Sequence, residues 1–329
     1  MSMPSQALAQ TAPREKLALM TKVARLYHVD GLRQPEIAQR LNMSQSRVSR
    51  LLRDATTVGI IRTIVVPPPD THSDVEEAVQ ARFGLSDVVV AHSAADDHLS
   101  ALNAVGAAGA TYLEATLGSG ERVGISSWSE SLLAVVEAMV AFPSRGVAQV
   151  VQVIGGVGRP TVQVKATRLT ERLAALTGAQ ALFLPAPGTV ASTEVRDSLL
   201  GDPQIIPVAQ AWDDLSVLLV GIGSVTPSPL LVDSGNTLSP EAQEGLATLG
   251  AVGDVCLRYF DAHGNPVDSA LNNRVVGLSI DQLRRVPRRI GVAFGERKVP
   301  AIAGAIRGGW IDTLVTDQYT ADRLLALGE

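Results

Sequence analysis

The chain has 329 residues, of which 46% are apolar and only 4% aromatic, with a formal net charge of −5. That is enough aliphatic side chain for a sizeable core, and too little positive charge for a general nucleic-acid binder. A single cysteine, Cys256, excludes an intramolecular disulfide and fits a reducing compartment; the start, MSMPSQALAQTAPREK, has no apolar signal core, and the run LLAVVEAMVAF is too short to span a bilayer, so a cytoplasmic protein without a membrane partner is expected.

The charge is unevenly placed. Residues 1–66 hold ten Lys/Arg against four Asp/Glu, a balance of +6, which leaves −11 for the remainder. A basic head on an acidic body suits a protein whose head alone meets phosphates. In EKLALMTKVARLYHV the apolar residues Leu17, Met20, Val23, Ala24 and Tyr27 recur at helical spacing, and Asp30-Gly31 closes that helix. Gln34-Pro35 opens a second helix, with Ile37, Ala38 and Leu41 on its inner face. Asn42-Met43 make a turn, and Ser44 is a suitable N-cap for a third helix that turns Val48, Leu51 and Leu52 inward.

Two short helices joined by a tight turn, with the small Ala38 where they cross, describe a helix-turn-helix. The residues expected to face outward are Gln45, Ser46, Arg47, Ser49, Arg50 and Arg53, with Gln34 and Ser44 at the helix starts. Gln and Arg make paired contacts to base edges in a major groove, and Ser reaches base or phosphate. An amphipathic helix with three Arg is by itself more often a solvated face; the turn, the cap, the inner face and the local charge together favour DNA. The segment 59–66, GIIRTIVV, reads as a β-branched strand that could form a wing, with Arg62 at the DNA backbone. PPPDTHSD, residues 67–74, reads as a stiff proline-rich spacer between domains 1–66 and 75–329.

From residue 75 the pattern is strand, loop, helix, repeated. VEEAVQARFG precedes the strand DVVVAH, then LNAVGAAGATYLEATL, RVGISS, SLLAVVEAMVAF, AQVVQVIGG, ATRLTERLAALTG, QALFLPAPG and LSVLLVGIGS follow, and the last stretch reads βαβα. Apolar strands without alternation imply a mainly parallel sheet covered on both faces. The loops after the strands (GISSWSES, VIGGVGRP, LPAPGT, GIGSVTPS, AFGERK, TDQYT) are rich in Gly, Ser and Pro. In an open α/β sheet such loops form ligand sites, though tight turns alone account for many of their glycines.

The blocks QPEIAQRLNMSQSRVSRLLRDATTVGII, VGISSWSESL, VVQVIGGVG, LPAPG, LLVGIGS, GAVGDVCLRYFDAHG, VAFGERKVPAIAGAIRGG and LVTDQYTADRLL, in this order, resemble the SorC family of bacterial transcriptional regulators, sometimes grouped with DeoR-type regulators. The resemblance implies a winged helix-turn-helix domain and a Rossmann-like, mainly parallel α/β effector domain similar to sugar-phosphate isomerases. It implies double-stranded operator DNA, a sugar, polyol or sugar phosphate effector, and a homodimer or homotetramer as partners. It also implies a ligand loop at Ser126, Ser127, Trp128, Ser129, Glu130 and Ser131, a lysine facing phosphate at Lys298, and a turn at Asp317 and Thr320 that could equally be a structural cap. Gly155, Gly156, Gly188, Gly221, Gly223, Ser224 and Asp254 complete the expected effector set. No cofactor and no metal site is expected.

This chain departs from the family pattern with Ser129 and Phe294 where glycines are usual. Ser127-x-x-Glu130 fits a capping box, which would put a carboxylate where a phosphate would sit; alternatively, Glu130 is an exposed first-turn residue favoured by the helix dipole. A sugar-phosphate isomerase or deaminase with an added DNA-binding head is the competing function, with Asp254, Asp261, Asp317 and Lys298 as candidate bases. Against it, DAHGN reads as a hairpin turn with His263 in solvent, and the five His are scattered without a triad or metal pattern.

Overall fold

A computed structural model describes residues 14–61, 72–93, 97–141, 146–157, 160–226, 232 and 238–328, with 160–166 as backbone only. The chain divides into two compact units, 1–68 and 69–329.

The first unit contains α1 (Arg14–His28), α2 (Gln34–Arg40) and α3 (Gln45–Thr57). Met20, Val23, Leu26, Ile37, Ala38, Val48, Leu51, Leu52 and Ala55 form its small core. The α2–α3 corner is set by Asn42, whose φ of 48° is the left-handed conformation that Asn tolerates better than most residues. Ser44 then caps α3: its Oγ accepts the Arg47 N–H at 3.3 Å. Residues 59–61, expected to begin a strand, are turn and bend, with Ile60 and Ile61 packed on the helical core. The rest of the expected wing, Arg62 included, lies outside the described residues.

The second unit begins with α4 (Ser73–Phe83), which starts inside the stretch 67–74 expected as spacer; residues 67–71 are not described. It continues with β1 (Asp87–Ala91), α5 (His98–Thr116), β2 (Arg122–Ile125), α6 (Glu130–Ala138), β3 (Gln149–Gln152), α7 (Pro160–Thr177) and β4 (Gln180–Leu182). Next come α8 (Thr193–Leu200), α9 (Ile206–Ala211), β5 (Val217–Gly221), β6 (Gly223–Ser224), α10 (Pro240–Thr248), β7 (Ala251–Val255) and β8 (Arg258–Asp261). The unit closes with α11 (Ile280–Arg285), β9 (Arg288–Val292), α12 (Val299–Arg307), β10 (Thr313–Asp317) and α13 (Gln318–Ala326).

Seven strands form one sheet in the order β1-β10-β9-β5-β2-β3-β4, and every pairing in it is parallel. The apolar runs are explained by burial on both faces. Along β5, Val217 and Leu219 enter one core with Leu102, Val105, Leu132, Val135, Leu169 and Leu173 from α5, α6 and α7. Leu218 and Val220 enter the other, with Val79, Val208, Leu283, Ile302 and Leu324 from α4, α9, α11, α12 and α13. The chain runs outward from β2 through β3 to β4, then returns to β5 on the other side of β2 and runs outward through β9 and β10. That reversal between β2 and β5 is the doubly wound arrangement, in which ligands sit beyond the carboxyl ends of the strands beside the reversal.

A second sheet, β6-β7-β8, is antiparallel. Its β7–β8 hairpin turns at Cys256 and Leu257, whose φ values of 53° and 58° are the two left-handed residues of a primed turn. The expected turn after β8 is also present: Gly264 N–H donates to Asp261 O at 2.9 Å, and His263 is exposed.

Candidate functional site

On α3 the predicted outward face is exposed at Gln45, Ser46, Arg47, Arg50 and Arg53, with Ser49 half-buried. Ser44 is exposed and spends its Oγ on the cap, 3.0 Å from Ser46 Oγ; Gln34 opens α2 half-buried. Lys16 pairs with Asp54 at 3.0 Å on the flank. Arg47, Arg50 and Arg53 thus lie along one solvent-facing side of a capped helix, as a groove-reading element requires.

In the second unit, the loop after β2 enters α6 at the reversal point. The capping box expected from Ser127 and Glu130 is not formed. The cap is Ser129, whose Oγ accepts the Leu132 N–H at 3.2 Å. Ser127 is buried at the end of β2, where its Oγ donates to Ile154 O at 2.9 Å and accepts from Gln152 Nε2 at 2.7 Å. The helix therefore starts two residues later than a Ser127 cap would place it. Glu130 becomes its first residue, an acidic group in the first turn where the dipole favours it. Its carboxylate lies 3.5 Å from His98 Nε2, at the start of α5.

The other loop residues are also engaged. Ser126 Oγ accepts the Gly221 N–H at 3.3 Å, Trp128 Nε1 donates to Gly155 O at 3.2 Å, and Ser131 is buried. Gly221 must be glycine because a Cβ there would meet Ser129 Oγ at 2.5 Å. Gly223 lies against Asp254, since a Cβ there would be 2.0 Å from Asp254 Oδ1, and Ser224 Oγ donates to Thr226 O at 2.8 Å. Asp254 Oδ2 accepts the Leu257 N–H at 2.9 Å and so holds the strained hairpin turn.

Lys298 follows β9 in a short 3-10 turn, Glu296–Lys298. Phe294, just before that turn, stacks on His98 with ring centres 5.2 Å apart. Asp317 and Thr320 behave as caps. Asp317 Oδ1 accepts the Thr320 N–H at 2.8 Å, and Thr320 Oγ1 accepts the Gly295 N–H at 2.7 Å, which ties the Lys298 turn to the start of α13.

The charges respond to each other. Burial pushes the Asp254 carboxyl from 3.8 up to about 6, against the opposing pull of the Leu257 N–H and the Lys298 ammonium. Burial lowers the Lys298 ammonium, while Asp254 and then Glu130 raise it. Ser129, Glu130, Gly221, Gly223, Asp254 and Lys298 thus gather beyond β2, β5 and β9, with His98 and Phe294 beside them.

Gly155, Gly156 and Gly188 lie elsewhere in the loop layer, all buried. A Cβ on Gly155 would fall 2.1 Å from Pro187 O, so the loops after β3 and β4 touch through their backbones. Segment 275–278 closes over them: Gly155 N–H donates to Val276 O and Val276 N–H to Gly188 O, both at 3.0 Å. These glycines let the loops pack closely, and Ser127 and Trp128 connect that seam to the loop after β2.

Sequence reasoning missed His98 and Gln152. His98 lies just outside the block quoted for α5, but its neighbour Asp97 is an N-cap, with Oδ1 accepting the Leu99 and Ser100 N–H groups at 3.0 Å, and that signal marks the helix start. Gln152 lies within VVQVIGGVG, where the sequence gives it no role; its Oε1 accepts the Leu184 N–H at 2.8 Å and its carbonyl accepts from Trp212 Nε1 at 3.0 Å. Among the described residues no group of three or more His, Cys, Asp or Glu could hold a metal ion, and no helix is long and apolar enough to cross a membrane.

Comparison with known proteins identifies the family. Residues 68–326 match the family model described as "Putative sugar-binding domain". The chain is 31% identical over 312 residues to the deoxyribonucleoside regulator of Bacillus subtilis (strain 168), covering 95% of this chain and 98% of that protein. It is 28% identical over 318 residues to the sorbitol operon regulator of Klebsiella pneumoniae, covering 94% of this chain and 98% of that protein. The crystal structure of that full-length regulator, SorC, superposes with a TM-score of 0.70 at 26% identity, covering 94% of this chain and 99% of that one. With a helix-turn-helix head, a doubly wound body and relatives matched over nearly their whole length, the chain belongs to the SorC/DeoR type of sugar-binding transcriptional regulators.

Proposed function

We propose that this sugar-responsive DNA-binding regulator reads its operator with the exposed face of α3 and holds its effector beyond β2, β5 and β9. The observation that carries the reading is the loop 126–130 at the strand-order reversal, with Glu130 and Asp254 both acting on Lys298. Gln45 and Ser46, at the start of α3, reach deepest into a major groove; Arg47 and Arg50 contact base edges or phosphate, and Arg53 contacts phosphate. A single small head holds DNA weakly, so paired heads of a homodimer or homotetramer on a pseudo-palindromic operator supply the second half-site. The effector shifts the protein between states only as far as it binds one better than the other.

Relatives are named as regulators, and the role assigned to the site is binding without turnover. The test pairs two measurements on the intact protein. Anisotropy titration with its own promoter fragment and with random duplex, at moderate ionic strength, measures operator preference. A thermal-shift series with sugars, polyols and their phosphates identifies effectors, because a ligand of the native state raises its melting point. Equal affinity for the two duplexes, with and without any stabilising sugar, overturns the regulator reading; consumption of a sugar phosphate by the pure protein overturns the assignment of a binding-only site.

A further inference from the structure

At the start of α6, three serine oxygens already take part in the loop's own hydrogen bonds. Ser127 Oγ both donates and accepts within the loop seam, Ser126 Oγ takes the Gly221 N–H, and Ser129 Oγ takes the Leu132 N–H. The site also presents charge. The Glu130 carboxylate stands at the mouth of α6, partnered 3.5 Å away by His98 Nε2. His98 is in turn held by its stack on Phe294, four residues before Lys298. Asp254 closes the inner side, its Oδ1 so near Gly223 that no side chain fits between them.

We infer that Glu130, steadied by His98, and Asp254 exclude phosphorylated ligands from this site and select an unphosphorylated sugar or polyol, with Glu130 as the specificity-determining residue. The inference rests on the location of the effector site given above. The carboxylates of Asp254 and Glu130 both act on the Lys298 ammonium, so a phosphate brings further negative charge to a region where two acidic groups already meet one basic one. Uncharged hydroxyls suit the same groups: they donate to the carboxylates and accept from Lys298. A helix start serving a phosphate would not carry a carboxylate in its first turn, as this one does at Glu130.

Inorganic phosphate is the probe, titrated into the intact protein against chloride at matched ionic strength and pH 7.5, with melting temperature and calorimetry as readouts. Wild type is expected to gain nothing from phosphate over chloride. Glu130→Gln is expected to bind phosphate at least about tenfold more tightly than wild type at low salt, and Glu130→Gln with Lys298→Met is expected to lose that gain. If wild type binds phosphate in a manner that Lys298→Met abolishes, the selectivity inference falls and the site stands. If Glu130→Gln gains nothing, the selectivity inference also falls. If the double variant keeps the full gain, the anion binds elsewhere and the location of the site itself is overturned.

Discussion

The Asp254 carboxyl sits in the folded protein with its pKa raised from 3.8 to about 6, chiefly by burial. The unfolded chain releases that proton more readily, so the stability this group contributes is complete below about 3.8 and is lost as the pH rises through about 6. The difference corresponds to roughly 3 kcal/mol. Asp254→Asn keeps an acceptor for the Leu257 N–H and cannot ionise. It should therefore unfold at higher urea concentration than wild type at pH 7.5, and the difference should close by about pH 4; a gap that does not change with pH would contradict the burial argument. Cys256 tests the same neighbourhood by another route. Burial, reinforced by Asp254, pushes its thiol up to about 12, so it should resist a thiol reagent in the native protein and react fully once urea unfolds it.

Helix starts decide much of the site, and two caps give separable predictions. Ser129→Ala removes the acceptor for the Leu132 N–H and should lower stability by about 1 kcal/mol in urea unfolding. Ser44→Ala should cost a similar amount, about 1 kcal/mol, but confined to the small helical unit, visible as weaker operator binding with effector binding unchanged. Caps were legible in the sequence where a short polar residue preceded a periodic run, as at Ser44. They misled at Ser127, because the sequence does not reveal that Gln152 and the Ile154 carbonyl claim its hydroxyl from another strand. The long apolar elements were legible for the same reason they are stable: burial on both faces. The short ones were not. Helix α8 has no fully buried residue and α9 has six residues, so neither shows a strong periodicity. The β7–β8 turn lacks the Gly or Asn that usually marks a primed turn; Cys256 and Leu257 adopt it because Asp254 Oδ2 accepts the Leu257 N–H and both side chains are buried.

For the whole molecule, the charge asymmetry predicts how regulation responds to salt. Operator affinity should fall linearly on a logarithmic salt scale, and Arg53→Ala, as a phosphate contact, should reduce that slope by about 1. Arg50→Ala should weaken binding to the operator more than to random duplex, while the thermal shift given by an effector stays unchanged in both variants. A mainly parallel sheet could be expected from the strand composition, but its order could not, since pairings such as β1 with β10 join residues more than two hundred positions apart. That closure has a practical side. The loop bearing Lys298 is anchored through the Gly295 amide to Thr320, in the first turn of the final helix, and Arg82 on α4 donates to the carbonyls of Leu325 and Leu327 near the chain's end. Carboxypeptidase trimming or a truncated clone that removed this last helix would strip the lysine loop of its anchor, so the thermal shift given by an effector should vanish.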